Sequence, residues 1–392
     1  MEAFIADWLN LLIRWAHIIA GVGWIGTSFY FVALDLALRK RDGLPEGVLG
    51  ESWQVHGGGF YHVRKYVTAP SELAKDLVWF KWEAYLTWAT GMALMTVQFY
   101  WNASTWLIDP SVMALEPWQA VAISLASLAV GWVLYDALCR SPIGRNLTLL
   151  AVLVFLMILA AAYFYGQVFS ARSALVHTGA FVGTMMAANV FAVIIPNQKK
   201  ITASLLAGEA PDPALGAVGK QRSMHNTYLT LPVLVLMVSG HYPMLTGHPQ
   251  AWLIVGLILI MGGVARHFWV RHEAGDAMGR IAWTLPVTGV AFLAAVILTH
   301  PRDMTAAVGT VPDSEILALS EAHCLACHAV NPPHEAFEAP PKNVVLESLA
   351  QFRQHRNLVM KQTVQSDIMP LGNESGMTET ERARLGAWLQ AQ

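Results

Sequence analysis

Cys324-Leu325-Ala326-Cys327-His328 places two thiols at i and i+3, with an imidazole directly after the second. Covalent haem attachment needs this arrangement: each thiol adds to a vinyl group, and the imidazole ligates the iron. A zinc half-site or a bare redox pair is the alternative. Zinc wants four ligands, and the chain has no second cysteine pair; Cys139 lies alone in an apolar run and reads as inert packing. A c-type haem takes a second axial ligand, and Met369, in Ile368-Met369-Pro370-Leu371-Gly372, is the expected one. Proline and glycine there suit a rigid loop rather than a core helix. Met360 and Met377 compete, but each falls in or beside a helical pattern. Thioether ligation raises a haem's potential, which suits an acceptor of electrons.

The other residues able to do chemistry lie in or beside long apolar runs, where ionisable groups are costly and default to function. Toward one end of the runs stand Arg222, His225, Asn226 and Arg266, with Asn197 and Gln198 after Pro196. The first polar connection adds His56, three glycines, then Phe60 and Tyr61. Glycines let backbone approach a ligand closely. Amides, arginines, histidines and aromatics together suit a flat, polar heterocycle. His56 and His225 are the candidate general bases, since an imidazole titrates near neutrality. Helix capping and headgroup contact is the bland alternative for any single one of these. A second set, His17, His177 and His241, sits mid-run or at the opposite end; facing imidazoles on neighbouring helices can hold a haem b.

These groups must be positioned by a membrane protein. Of 392 residues only 13% are charged, and mean hydropathy is +0.43. Runs able to cross a hydrocarbon core of about 30 Å fall near 5–37, 79–101, 117–139, 146–168, 173–196, 226–246, 250–270 and 281–300. The first would be roughly 50 Å long at about 1.5 Å per residue, so it tilts or projects into water. It lacks a basic leader and a cleavage site, so it reads as a retained span. The expected fold is all-α: an eight-helix transmembrane bundle over 1–303, then a small cytochrome c domain over 312–392. In the latter, helices are expected after Pro312, over 343–362 and from the capping box Thr378–Glu381.

Charge orients the bundle. Arg39, Lys40, Arg41, Arg64, Lys65, Lys75, Arg140, Arg145, Lys199, Lys200, Lys220, Arg222, Arg271 and Arg280 occupy one set of connections. The alternate set, 102–116, 169–172 and 247–249, carries only Arg172. Basic loops stay cytoplasmic, which places both termini and the haem motif on the periplasmic side of a bacterial inner membrane. A net charge of −2 gives no reason to expect a nucleic acid partner.

The whole chain resembles the membrane-bound, cytochrome c-fused urate oxidases (urate hydroxylases) of bacterial purine catabolism. The resemblance lies in Trp53-Gln54-Val55-His56-Gly57-Gly58-Gly59-Phe60-Tyr61-His62, Trp79-Phe80-Lys81-Trp82-Glu83-Ala84-Tyr85, Ile195-Pro196-Asn197-Gln198, His225-Asn226-Thr227-Tyr228-Leu229-Thr230-Leu231-Pro232, Ser239-Gly240-His241-Tyr242-Pro243 and both haem motifs. It implies oxidation of urate to 5-hydroxyisourate, with electrons passed singly to one covalent haem c rather than to oxygen. A haem b in the bundle is a further expectation, as is a downstream cytochrome or oxidase partner. Phe60, Tyr61, Asn197, Gln198, Arg222, Asn226 and Arg266 are the candidate urate contacts. The alternative is a haem-containing electron-transfer module, such as a quinol–cytochrome c oxidoreductase.

Overall fold

A computed structural model describes residues 2–66, 74, 76–300 and 309–392, without the side chains of 2 and 3. Lys75 and the expected domain boundary at 303 lie outside the described residues. Helix α1 (Glu2–Ala37) leads into a hairpin, β1 (Val48–His56) and β2 (Gly59–Tyr66). Then come α2 (Trp82–Met95, prolonged by a wider turn over Thr96–Tyr100), α3 (Pro117–Arg140), α4 (Leu147–Val168) and α5 (Ala171–Leu206). Helices α6 (Pro213–Val238), α7 (Ala251–Glu273) and α8 (Thr284–Leu298) complete the bundle.

Among the described residues six helices are long and apolar enough to cross a membrane: Phe4–Ala37, Pro117–Arg140, Leu147–Val168, Ala171–Leu206, Ala251–Glu273 and Met278–Leu298. That is two fewer than expected from the apolar runs. The other two, α2 and α6, pack in the same bundle. Glu83 and Gln98 interrupt the first, and Lys220, Arg222, His225 and Asn226 the second. The connection read over 197–222 is itself helical at both ends, and Arg222 is a buried helix residue rather than a loop charge.

The core runs through α3, α4, α5 and α7, around Tyr135, Ile158, Tyr165, Phe181 and Ile254. The most apolar window of α5 is 72% buried and that of α1 only 6%, so α5 is the axis and α1 a peripheral helix paired with α2. Val22 on α1 and Val290 and Phe292 on α8 face outward. Such faces are tolerable in lipid and adverse in water. Lipid removes most of the hydrophobic drive between helices, so close packing must replace it. Gly262 on α7 shows this: a Cβ there would stand 2.7 Å from the Pro232 ring of α6.

The hairpin departs from an all-helical plan. Gly57 and Gly58 both take positive φ, 59° and 80°, the backbone that a two-residue hairpin turn demands. The first two glycines therefore serve a turn, and His56 pairs with Gly59 across it.

Beyond 309 a second core forms around Ile316, Phe352, Leu385 and Trp388. It is built by α9 (Asp313–His323), α10 (Leu349–Gln354) and α11 (Glu379–Gln390). Thr378 caps α11 through the expected box with Glu381. The helix expected over 343–362 starts later, because Ser348 and Gln351 form their own capping box. Trp388 donates to Asp313 at 2.7 Å, tying the last helix to the first. This C-terminal domain rests on the bundle at the start of α5 and the ends of α2 and α6. Trp106 meets Phe337 with ring centres 6.5 Å apart, Gly247 lies against Ser366, and Gly372 against the Ile108 carbonyl.

Candidate functional site

Two polar centres stand at opposite ends of the bundle. The first joins α3, α5 and α6. Tyr135 shares a 2.7 Å hydrogen bond with His225 Nδ1. Asn189 donates to Tyr135 at 3.0 Å and to Asn226 at 2.9 Å, and Asn226 donates to the Met186 carbonyl at 2.9 Å. Arg222 donates to Asp136 at 2.7 Å and to Asn189 at 3.3 Å, with its guanidinium 5.0 Å from the centre of the Tyr135 ring. Asn189 opens a π-helical turn, Asn189–Ile194; such bulges re-aim side chains and cluster at functional sites. Almost every hydrogen-bonding group here is used, so the cluster is a closed, rigid network.

The other flank of α6 continues this layer toward α7 and α1. Tyr228 shares a 2.7 Å bond with His267, whose ring centre lies 5.8 Å from that of Trp283. Next to His267, Arg266 is 4% exposed. Its guanidinium sits 3.9 Å over the Phe29 ring. Unlike Arg222, it makes no ion pair with a described carboxylate; like that of Arg222, its Nε has no hydrogen-bond partner among the described residues. A buried cation without an anion is expensive; over an aromatic face it is a ready seat for a flat anion. On α2, beside Gly23, Glu83 has a buried carboxylate oxygen that also lacks a partner among the described residues.

The second centre is a cavity of about 350 Å³ between the C-terminal domain and the bundle, within the size range of ligand pockets. Cys324, Cys327, His328 and Met369 all line it. His328 Nδ1 donates to the Val344 carbonyl at 2.8 Å, which leaves Nε2 as the free lone pair, the tautomer of a ligating histidine. Burial pushes the Cys324 thiol up to about 11; a thiol so held is not an activated nucleophile. Arg382 donates to the Met369 and Thr363 carbonyls, each at 2.6 Å, and so pins the loop that presents Met369. Met377 is in the domain core and Met360 packs against it, so of the three methionines Met369 lines the cavity. The donor set fits an iron porphyrin held by two thioethers, an imidazole and a thioether sulfur. The opposite wall comes from the bundle: Trp106, Arg172, His241 and Pro243.

Residues 3–300 match the family described as Urate oxidase N-terminal. The chain belongs to that family. Its urate oxidase N-terminal region therefore holds the hairpin, the whole polar layer and the bundle's wall of the cavity, while the CxxCH domain lies beyond it. The family ties the chain to urate and to oxidoreductase chemistry. No curated protein and no solved structure matches the chain.

Within the urate oxidase N-terminal region the candidates named from sequence separate. Arg222, His225 and Asn226 come together, and Arg266 joins their layer through Tyr228. His56, Phe60 and Tyr61 stand on the hairpin and are exposed, Phe60 by 77% and Tyr61 by 53%. Asn197 donates to the Leu215 carbonyl at 3.2 Å, tying α5 to α6, and Gln198 faces outward. Tyr135, Asp136 and Phe29 were missed. Asp136 had a signal, a carboxylate inside an apolar run.

His17, His177 and His241 have separate surroundings. His17 Nδ1 lies 3.0 Å from the Thr87 carbonyl, with its ring against Gly91. His177 is fully buried, and its Nε2 has no partner. The rings of Phe99, Tyr165 and Phe169 surround it, centres 5.5, 5.6 and 4.7 Å away. His241 belongs to the wall of the CxxCH cavity. The three histidines thus stand in different surroundings: beside α2, in the core, and on the cavity wall.

Proposed function

We propose that this protein is a membrane urate oxidase that converts urate to 5-hydroxyisourate and delivers the electrons to a c-type haem on Cys324, Cys327, His328 and Met369. The observation that carries the reading is the cavity: both haem motifs converge on it, and a urate oxidase N-terminal bundle forms its other wall. All eight long helices would cross the membrane, α2 and α6 with their polar faces turned inward. The C-terminal domain would be periplasmic and the hairpin and polar layer cytoplasmic, as the charge bias requires. A soluble or membrane cytochrome or oxidase would accept the electrons downstream.

The urate monoanion and one water give 5-hydroxyisourate, one proton and two electrons. When bound, the haem supplies a one-electron acceptor, so oxygen is not consumed and peroxide is not formed. The chain's residues supply the rest. Arg266 pairs with the anion over Phe29, and Tyr228 and His267 line its side. The Asp136–Arg222–Asn189–Asn226 network holds α3, α5 and α6 in register behind it. His225, bonded to Tyr135, is the candidate proton acceptor. His56, Phe60 and Tyr61 would serve at most where urate first meets the protein. Along α6, Arg222 and Val238, three residues before His241, are about 24 Å apart at a rise of about 1.5 Å per residue. Oxidation and electron exit are thus at separate ends of the bundle.

The test is turnover without oxygen. Purified protein with an artificial one-electron acceptor in place of oxygen should form 5-hydroxyisourate and no peroxide. Strict dependence on oxygen with stoichiometric peroxide would reject the reading.

A further inference from the structure

Arg172 is the single Lys or Arg in the connections 102–116, 169–172 and 247–249, the set that charge otherwise leaves empty. Near the start of α5, it lies with its guanidinium 5.1 Å from the centre of the Trp106 ring. It makes no hydrogen bond or ion pair with a described residue, yet it lines the same cavity as the CxxCH motif. Glu374 is the only described carboxylate on that lining, and it is engaged by His334 at 3.0 Å. The cavity therefore presents a cation from the bundle, while the one described carboxylate on its lining is already engaged.

We propose that Arg172 binds a carboxylate of the porphyrin, with His241 beside it on the same wall, so that the bundle completes the haem site. This rests on the haem reading above and extends it: the haem is clamped between two domains rather than housed in one. Arginine suits the role because its planar fork matches a carboxylate in a way lysine does not. The ring of Trp106, under Arg172 and against Phe337, would then lie between the bundle and the haem edge. A phosphate of a lipid headgroup is the other anion of similar chemistry within reach of this side of the bundle. The two sources are separable because only the porphyrin carboxylate couples Arg172 to the haem's electronics.

The experiment compares full-length holoprotein with Arg172→Gln and Arg172→Lys by redox titration, with haem content measured by pyridine haemochrome. A cation at a propionate favours the reduced haem. Arg172→Gln should shift the ferric–ferrous equilibrium about tenfold toward ferric, about 59 mV lower for one electron, while Arg172→Lys should retain most of the wild-type value. An unchanged potential in Arg172→Gln at full haem content would assign Arg172 to lipid and overturn the proposal. Equal shifts in both variants would mark lost packing, not lost charge, and would also overturn it. Should Arg172→Gln fail to accumulate, resonance Raman on wild type reads propionate hydrogen bonding directly. Propionate modes typical of free solvent exposure would contradict the clamp. Wild type without covalent haem would overturn the function itself, a failure distinct from these.

Discussion

Arg222 and Arg266 are both buried arginines of one polar layer, yet their removal should have opposite consequences. Arg222 has its carboxylate, Asp136, at 2.7 Å; Arg266 pairs with no described carboxylate, only the Phe29 ring, and Glu273 acts on it from a distance. If urate is the missing partner, Arg266→Met removes a buried charge that the unliganded fold leaves without an ion pair. Methionine is long and adaptable enough to keep the contact with Phe29. Unliganded stability should then stay level or rise, because an unpaired buried charge is a net cost. Truncating one side of a buried charge pair costs binding about 2–5 kcal/mol. At about 1.4 kcal/mol per factor of ten, urate affinity should fall from roughly 30-fold to a few thousandfold. The assays are urate concentration dependence of haem reduction and thermal unfolding in detergent, with haem content as control. A lower melting temperature with unchanged urate affinity would refute the reasoning, since Arg266 would then be structural.

Asp136→Leu should do the reverse: stranding Arg222 costs about 3–5 kcal/mol, read as a lower melting temperature, and pairing it with Arg222→Met should recover most of the loss. Arg382→Gln removes a charged donor from the Met369 carbonyl, a bond of about 1.5–3 kcal/mol; the absorption band diagnostic of Met–iron ligation should weaken, whereas an unaltered band would remove Arg382 from its positioning role. The hairpin should loosen in acid. The hydrogen bond from His62, then the charges of His62, Arg41 and Arg64, hold the Glu51 carboxyl below its ordinary 4.5. A depressed carboxylate contributes stability that is present above 4.5 and lost as pH falls through the depressed value. Protection factors of the β1 and β2 amides, corrected for the intrinsic exchange rate, should therefore fall only as pH drops through that acid range. Protection lost on lowering the pH from 7 to 5 would contradict it.

That Cys324, Cys327, His328 and Met369 belong to one site was legible because the motifs are short and chemically specific, and the four line one cavity. Thr378 and Glu381 were legible for the same reason, since a capping box is local. The hairpin was not read, although Gly57-Gly58 between Val-, Trp- and Tyr-bearing segments is a hairpin signal; the glycines were assigned to ligand approach instead. That assignment carried His56, Phe60 and Tyr61 into the expected site; their strands leave all three exposed. The contrast between Arg222 and Arg266 could not be read at all. It depends on which way α3 and α6 are rotated, and Asp136 meets Arg222 only because both helices turn those faces to α5. Hydropathy also hid Asp136, because one carboxylate barely lowers the average of a strongly apolar run.

In the proposed reaction, urate electrons reach a haem of the C-terminal domain within one chain. The direct measurement is anaerobic titration of oxidised, purified protein with urate, following the c-haem absorption bands. Reduction should give two ferrous haems per urate consumed, and Arg266→Met should lose the response at wild-type haem content. A haem that stays ferric while urate is converted would contradict it.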